Sequence, residues 1–159
     1  MSPSSLWFPI LALASGMLLA APAWADVTVN DPWVRGTTAS QQATGAFMTI
    51  SSSVDASLVA ASSSAAGIVE IHEMRMDGSA MRMRHVDQLA LPAGKRVELN
   101  PGGYHIMLMD LRQQMRAGTK VPLLLKIRNR DGTLSEVAVT AQVTSVAGRK
   151  STPSNHHHQ

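Results

Sequence analysis

Gly67-Ile68-Val69-Glu70-Ile71-His72-Glu73-Met74-Arg75-Met76-Asp77-Gly78-Ser79-Ala80-Met81-Arg82-Met83-Arg84-His85-Val86 is the stretch that decides the fold. Side chains alternate along it with period two, which is the mark of a strand and not of a helix. Val69 and Ile71 fall on one side; Glu70, His72, Met74 and Met76 fall on the other. Asp77-Gly78 is a strong hairpin signal, so Ser79 to Val86 is expected to fold back antiparallel, with Met81, Met83 and His85 sharing a face and Arg82 and Arg84 opposite. The hairpin brings Met83 near the strand of His72.

Working outward, the same grammar repeats. Short β-prone runs alternate with Gly, Pro, Ser and Asn-Pro punctuation, the pattern of an antiparallel sandwich. Val27–Val29 and Trp33–Val34 predict a first strand interrupted near Pro32, which suits an edge or a bulge. Residues 43–51 predict a second, with Ala46, Met48 and Ile50 on one face, and 57–62 a third. Leu91-Pro92-Ala93-Gly94 reads as a connector, 95–99 as a short strand, and Asn100-Pro101-Gly102-Gly103 as a dense turn. Residues 104–111 place His105, Met107 and Met109 on one face, with Ile106 and Leu108 on the other. Residues 111–118 are the best place for a helical turn or a loop. Two final strands, 121–129 and 133–143, form a hairpin across Arg130-Asp131-Gly132, with Leu123, Leu125 and Ile127 in the core. That makes eight or nine strands in one domain, enough for one core.

Of the eight methionines after residue 25, six lie between His72 and Met109, together with all three histidines that precede the C-terminal tail. Methionine at alternate strand positions commonly fills gaps in a core. Core packing gives no reason, however, for histidines to share those strand faces. Imidazole and thioether together, with no thiolate, suit copper, and Cu(I) above all. Ten residues separate His72 from Met83, twenty-one separate Met83 from His105, and one separates His105 from Met107.

This spacing resembles the signature of the periplasmic copper chaperone family PCu(A)C, His-x10-Met-x21-His-x-Met. Further stretches resemble it too: Asp31-Pro32-Trp33-Val34-Arg35, Thr44-Gly45-Ala46-Phe47-Met48, Leu91-Pro92-Ala93-Gly94 and Pro101-Gly102-Gly103-Tyr104-His105. The likeness runs over residues 27–143. It implies an all-β, cupredoxin-like Greek-key sandwich. It implies one Cu(I) bound by His72, Met83, His105 and Met107, and delivery of that copper for assembly of cytochrome c oxidase. An Sco-type thioredoxin-fold protein and cytochrome c oxidase subunit II are the partners it suggests. Met74, Met76, Met81 and Met109 share the ligand faces but lie outside the motif, and are expected to be auxiliary. His156, His157 and His158 in the tail suit an auxiliary Cu(II) site.

Residues 1–25 form a separate segment. The apolar run 8–21 is short for a bilayer span, and Ala23-Trp24-Ala25 offers small residues where a signal peptidase cuts. A signal peptide over 1–25, a copper-binding domain over 26–146 and a disordered tail over 147–159 are expected, with the mature chain in the periplasm and without a membrane span. A retained N-terminal anchor is the competing reading of the first segment. The chain has no cysteine, so disulfides, thiolate metal sites and lipid attachment at a cysteine are all closed to it.

The same absence excludes a blue-copper electron carrier, which needs a thiolate. Two thioethers argue against zinc, and no oxygen cluster suits calcium. No nucleophile elbow or phosphate loop is present. Glu73 lies on the face opposite His72 and Asp77 in a turn, so no acid/base pair forms and an enzyme is not expected. The net charge of +3 is scattered, without the basic runs that bind nucleic acid. The alternatives to delivery are copper buffering or resistance, and, in another class, a structural β-sandwich interaction module whose methionines are only core.

Overall fold

The computed structural model describes residues 25–149. Ten strands follow in order: β1 (Val27–Val34), β2 (Ala43–Ser52), β3 (Ala56–Ser62), β4 (Ala66–Asp77), β5 (Ala80–His85), β6 (Leu89–Leu91), β7 (Arg96–Leu99), β8 (Tyr104–Leu111), β9 (Lys120–Asn129) and β10 (Leu134–Val143). They are joined laterally in the order β5-β4-β8-β2-β1-β10-β9-β3-β6, with β7 also on β2. This ribbon folds over on itself, because buried residues from its two halves meet in one core. Ile71, Ile106 and Leu108 from β4 and β8 pack in the same cluster as Leu58, Leu123, Leu125 and Ile127 from β3 and β9. The result is an all-β sandwich of the cupredoxin type.

Sequence periodicity located nine of these strands. The tenth, β6, falls partly in the stretch read as a connector; at three residues it is too short to show alternation, and it forms by pairing with β3. One lateral pair departs from the expected antiparallel pattern: β1 runs parallel to β10, through Trp33↔Gln142 and Val34↔Val143. The break expected near Pro32 is a register shift between Asn30 and Trp33 in the β1–β2 ladder, with Asp31 at φ 49°. Residues 112–119 form a loop and not a helical turn, tied down where Met115 N–H donates to Thr37 Oγ1 at 3.0 Å. Among the described residues no helix is long and apolar enough to cross a membrane.

On β8 the alternation separates two chemistries. Ile106 and Leu108 are fully buried in the core, while His105, Met107 and Met109 turn to the outer face. On β2 both faces are covered. Ala46, Met48 and Ile50 enter the core, and Phe47 is buried on the other side against Trp33, ring centroids 4.4 Å apart.

Beyond the last strand, Thr144 N–H donates to Val34 O at 2.8 Å and the Arg149 guanidinium lies 5.7 Å over the Trp33 ring. The segments read as signal peptide and tail lie outside the described residues, apart from Ala25 and residues 147–149.

Candidate metal centre

The β4–β5 hairpin closes on Gly78 and Ser79, with Asp77 paired to Ala80 and Gly78 at φ +64°, open to solvent. Glycine tolerates that left-handed geometry without strain. A turn centred there puts His72 opposite His85, Met74 opposite Met83 and Met76 opposite Met81. Met83 is therefore diagonal to His72, one pair further toward the turn.

On its other edge, β4 pairs with β8. His72 faces His105, Glu70 faces Met107 and Ile68 faces Met109. Three imidazoles thus stand in one row across β5, β4 and β8. His72 lies edge-on to both neighbours, 6.0 Å from the His85 ring and 5.9 Å from the His105 ring.

Hydrogen bonds fix which nitrogen each ring offers. In the Asn100–Gly103 turn, Asn100 Oδ1 accepts from Gly102 N–H at 3.0 Å. The Gly103 carbonyl takes the Met74 N–H at 3.0 Å and the His105 Nδ1–H at 3.1 Å. With its proton held on Nδ1, His105 keeps a lone pair on Nε2. His72 is held the other way: its Nε2 meets Glu70 Oε2 at 2.8 Å. Its Nδ1 is buried without any partner. A buried ring nitrogen left without a hydrogen bond is costly, and coordination satisfies it. The donor set therefore fits a metal.

His105 is 4% exposed. Burial holds its pKa below the usual histidine value, against the Gly103 bond that raises it; the nearby His72 and Arg35 depress it further. Glu70 is held below the usual carboxylate value chiefly by the His72 hydrogen bond, despite desolvation.

Met83, His105 and Met107 line one cleft of about 300 Å³, with Met74, Gly45 and Phe47. Gly45 is the cross-strand partner of Met107. A Cβ on it would come 2.6 Å from Phe47 Cζ, so glycine lets the Phe47 ring fold over β2 and reach His105, centroids 6.2 Å apart. A larger groove of about 790 Å³ runs past Trp33, Glu98 and Asn100, but its one soft donor, Met48, is buried.

The four motif residues thus lie on one outer face. The auxiliary methionines divide. Met74 joins the cleft, whereas Met76 and Met81 face each other at 57% and 51% exposure near the hairpin tip. Met109 stands opposite Ala43 and Ile68, beyond Met107. His156, His157 and His158 lie outside the described residues. Glu73 bonds Arg84 at 3.0 Å, away from His72 as its alternation requires. Two participants were not singled out from sequence, Glu70 and His85. Both carried a readable signal, since Glu70 sits two residues from His72 and His85 two from Met83.

The LpqE-like lipoprotein family model matches residues 27–143. The chain belongs to this family. The lipoprotein Lxx21020 of Leifsonia xyli subsp. xyli is 35% identical over 114 residues, 71% of this chain and 68% of its own.

Solved structures place the fold. Apo-DR1885 of Deinococcus radiodurans is 28% identical with a TM-score of 0.56, covering 94% of this chain and 99% of that one. Its Cu(I) form is 28% identical with a TM-score of 0.51, covering 80% and 81%. The apo PCuAC domain from PmoF1 is 21% identical with a TM-score of 0.60, covering 75% and 93%. This LpqE-like chain therefore has the PCuAC fold that the family resemblance implies.

Proposed function

We propose that this protein is an exported copper chaperone that carries one Cu(I) on His72, Met83, His105 and Met107. The observation that carries the reading is the pair of ring nitrogens left free on adjacent strands. His72 Nδ1 is buried without a partner, and His105 offers Nε2 because Gly103 holds its other nitrogen. Two thioethers beside two imidazoles form a soft, cysteine-free set suited to Cu(I). The copper-bound form of DR1885 supports carrying that cargo over to this chain.

Copper here is cargo, and the site is built to release it. Met83 sits on the outermost strand and is 47% exposed, so a partner's ligand can approach from that side and replace it first. His72 and His105 are more deeply set and held by Glu70 and Gly103, so they keep their geometry during exchange. Nothing in this role requires a reaction at carbon or phosphorus, and the protein is read as non-enzymatic.

The assembly of cytochrome c oxidase copper centres, with an Sco-type protein and subunit II as partners, is the destination we propose, with the periplasm as the compartment. The family's lipoprotein names favour an exported protein, although this sequence has no cysteine to acylate. The tail histidines are proposed as a separate Cu(II) site. Copper buffering without a dedicated client uses the same ligands. Transfer experiments with apo-subunit II separate the two: movement of Cu(I) faster than its release to a chelator supports delivery, and equal rates sink it.

A further inference from the structure

The row of three imidazoles holds more donors than the thioether site uses. Glu70, His72 and His85 each offer one ligand atom, all within 4.8 Å of one another. Glu70 Oε2 lies 2.8 Å from His72 Nε2 and 3.6 Å from His85 Nδ1. The Asp87 carboxylate lies 3.3 Å from His85 Nε2; in the tautomer that keeps the ring proton on that side, the Nδ1 lone pair faces Glu70. A carboxylate and an imidazole lone pair then confront each other, which a cation between them relieves. Two imidazoles and one carboxylate suit a borderline divalent ion with a position left open. His85 and Glu70 are both partly exposed, so an ion has access.

We propose that Glu70, His72 and His85 form a second metal site, for a borderline divalent cation such as Zn(II) or Cu(II), which competes with Cu(I) for His72. The two sites use opposite edges of one ring. Neutral imidazole has a single lone pair. A cation on Nε2 displaces the proton shared with Glu70 to Nδ1, and a protonated Nδ1 cannot ligate Cu(I). Cargo loading and the divalent ion are therefore mutually antagonistic, and the coupling is reciprocal. This competition rests on the Cu(I) reading above; the divalent site does not.

The test uses the full chain with His156→Ala, His157→Ala and His158→Ala, so that the tail binds no metal. Zn(II) is the probe for the site, since it has little use for thioethers; Cu(II) is the second arm. One Zn(II) is expected by chelator competition. Glu70→Gln, which keeps an acceptor for His72, and His85→Ala, a half-exposed position, should each weaken it about tenfold or more. Met83→Leu and Met107→Leu should leave zinc affinity within about twofold. Saturating Zn(II) should lower Cu(I) affinity about fivefold or more, and His85→Ala should remove much of that effect.

Zinc affinity unmoved by both Glu70→Gln and His85→Ala overturns the site. Zinc bound as expected but without effect on Cu(I) overturns the sharing of His72. Failure of Cu(I) to bind in the absence of zinc sinks the chaperone reading instead, and the zinc variants still decide the site.

Discussion

His72 on β4 and His105 on β8 are direct cross-strand partners, their rings 5.9 Å apart and 73° from coplanar. Thirty-two residues separate them in sequence, yet the ladder makes them neighbours and the flanking bonds leave each a free nitrogen. From this pair follow the ligand predictions.

Removing one ligand at a time should weaken Cu(I) without unfolding the sandwich. Met83→Leu conserves volume at a half-exposed position, so stability should change by less than about 1.5 kcal/mol. Cu(I) affinity should fall by about tenfold or more, as expected when a metal loses a designed partner. His105→Ala should cost more affinity and also stability, because the ring is buried. Unchanged chelator competition in both variants would remove the ligand assignment.

Met81 and Met83 are separated by geometry. Met83 lines the cleft with His105 and Met107, whereas Met81 pairs with Met76 toward the hairpin tip. Met81→Leu should therefore lower Cu(I) affinity less than Met83→Leu in the same titration. The reverse order would make Met81 the thioether ligand.

Gly45→Ala tests the shape of the cleft. The new Cβ meets the Phe47 ring at 2.6 Å, and a rigid aromatic flanked by Trp33 and His105 has little room to give. Overpacking of this kind costs about 1–3 kcal/mol. The urea midpoint should fall, and Cu(I) affinity should weaken as Phe47 presses on His105. An unshifted midpoint would mean that the ring turns aside freely.

Acidification should act through the histidines. Protons compete with metal for imidazole but not for thioether, so Cu(I) affinity should fall between about pH 8 and pH 5. Burial lowers the His105 pKa, so loss of this ligand lags behind that of an exposed histidine, about 6.5 when unperturbed. The same shift sets the metal-free stability. Unfolded His105 binds protons more readily than folded His105, so its contribution is complete above about pH 6.5. It is lost as pH falls through the lowered folded value. Urea midpoints over this range should be steeper for the wild type than for His105→Gln. Equal slopes would assign the pH dependence elsewhere.

Sequence alone determined the strand faces and the donor set. Period-two alternation put His72 with Met74 and His105 with Met107, and kept Ile71, Ile106 and Leu108 for the core, because neighbouring side chains on a strand must point to opposite sides. The imidazole and thioether donors pointed to copper before any contact was visible, and their spacing carried the family resemblance. Tertiary structure decided what lay between strands. The hairpin closes on Gly78 and Ser79, and that register sets His85 beside His72. The Asp77-Gly78 signal announced the hairpin, but its loop length had to be seen, because a one-residue slip would turn every side chain of the returning strand to the other face. The opposition of His72 to His105, the parallel seating of β1 on β10 and the Gly103 carbonyl that sets the His105 tautomer all join distant segments. Their partners are chosen by the closing of the whole core, so no local stretch of sequence carries them.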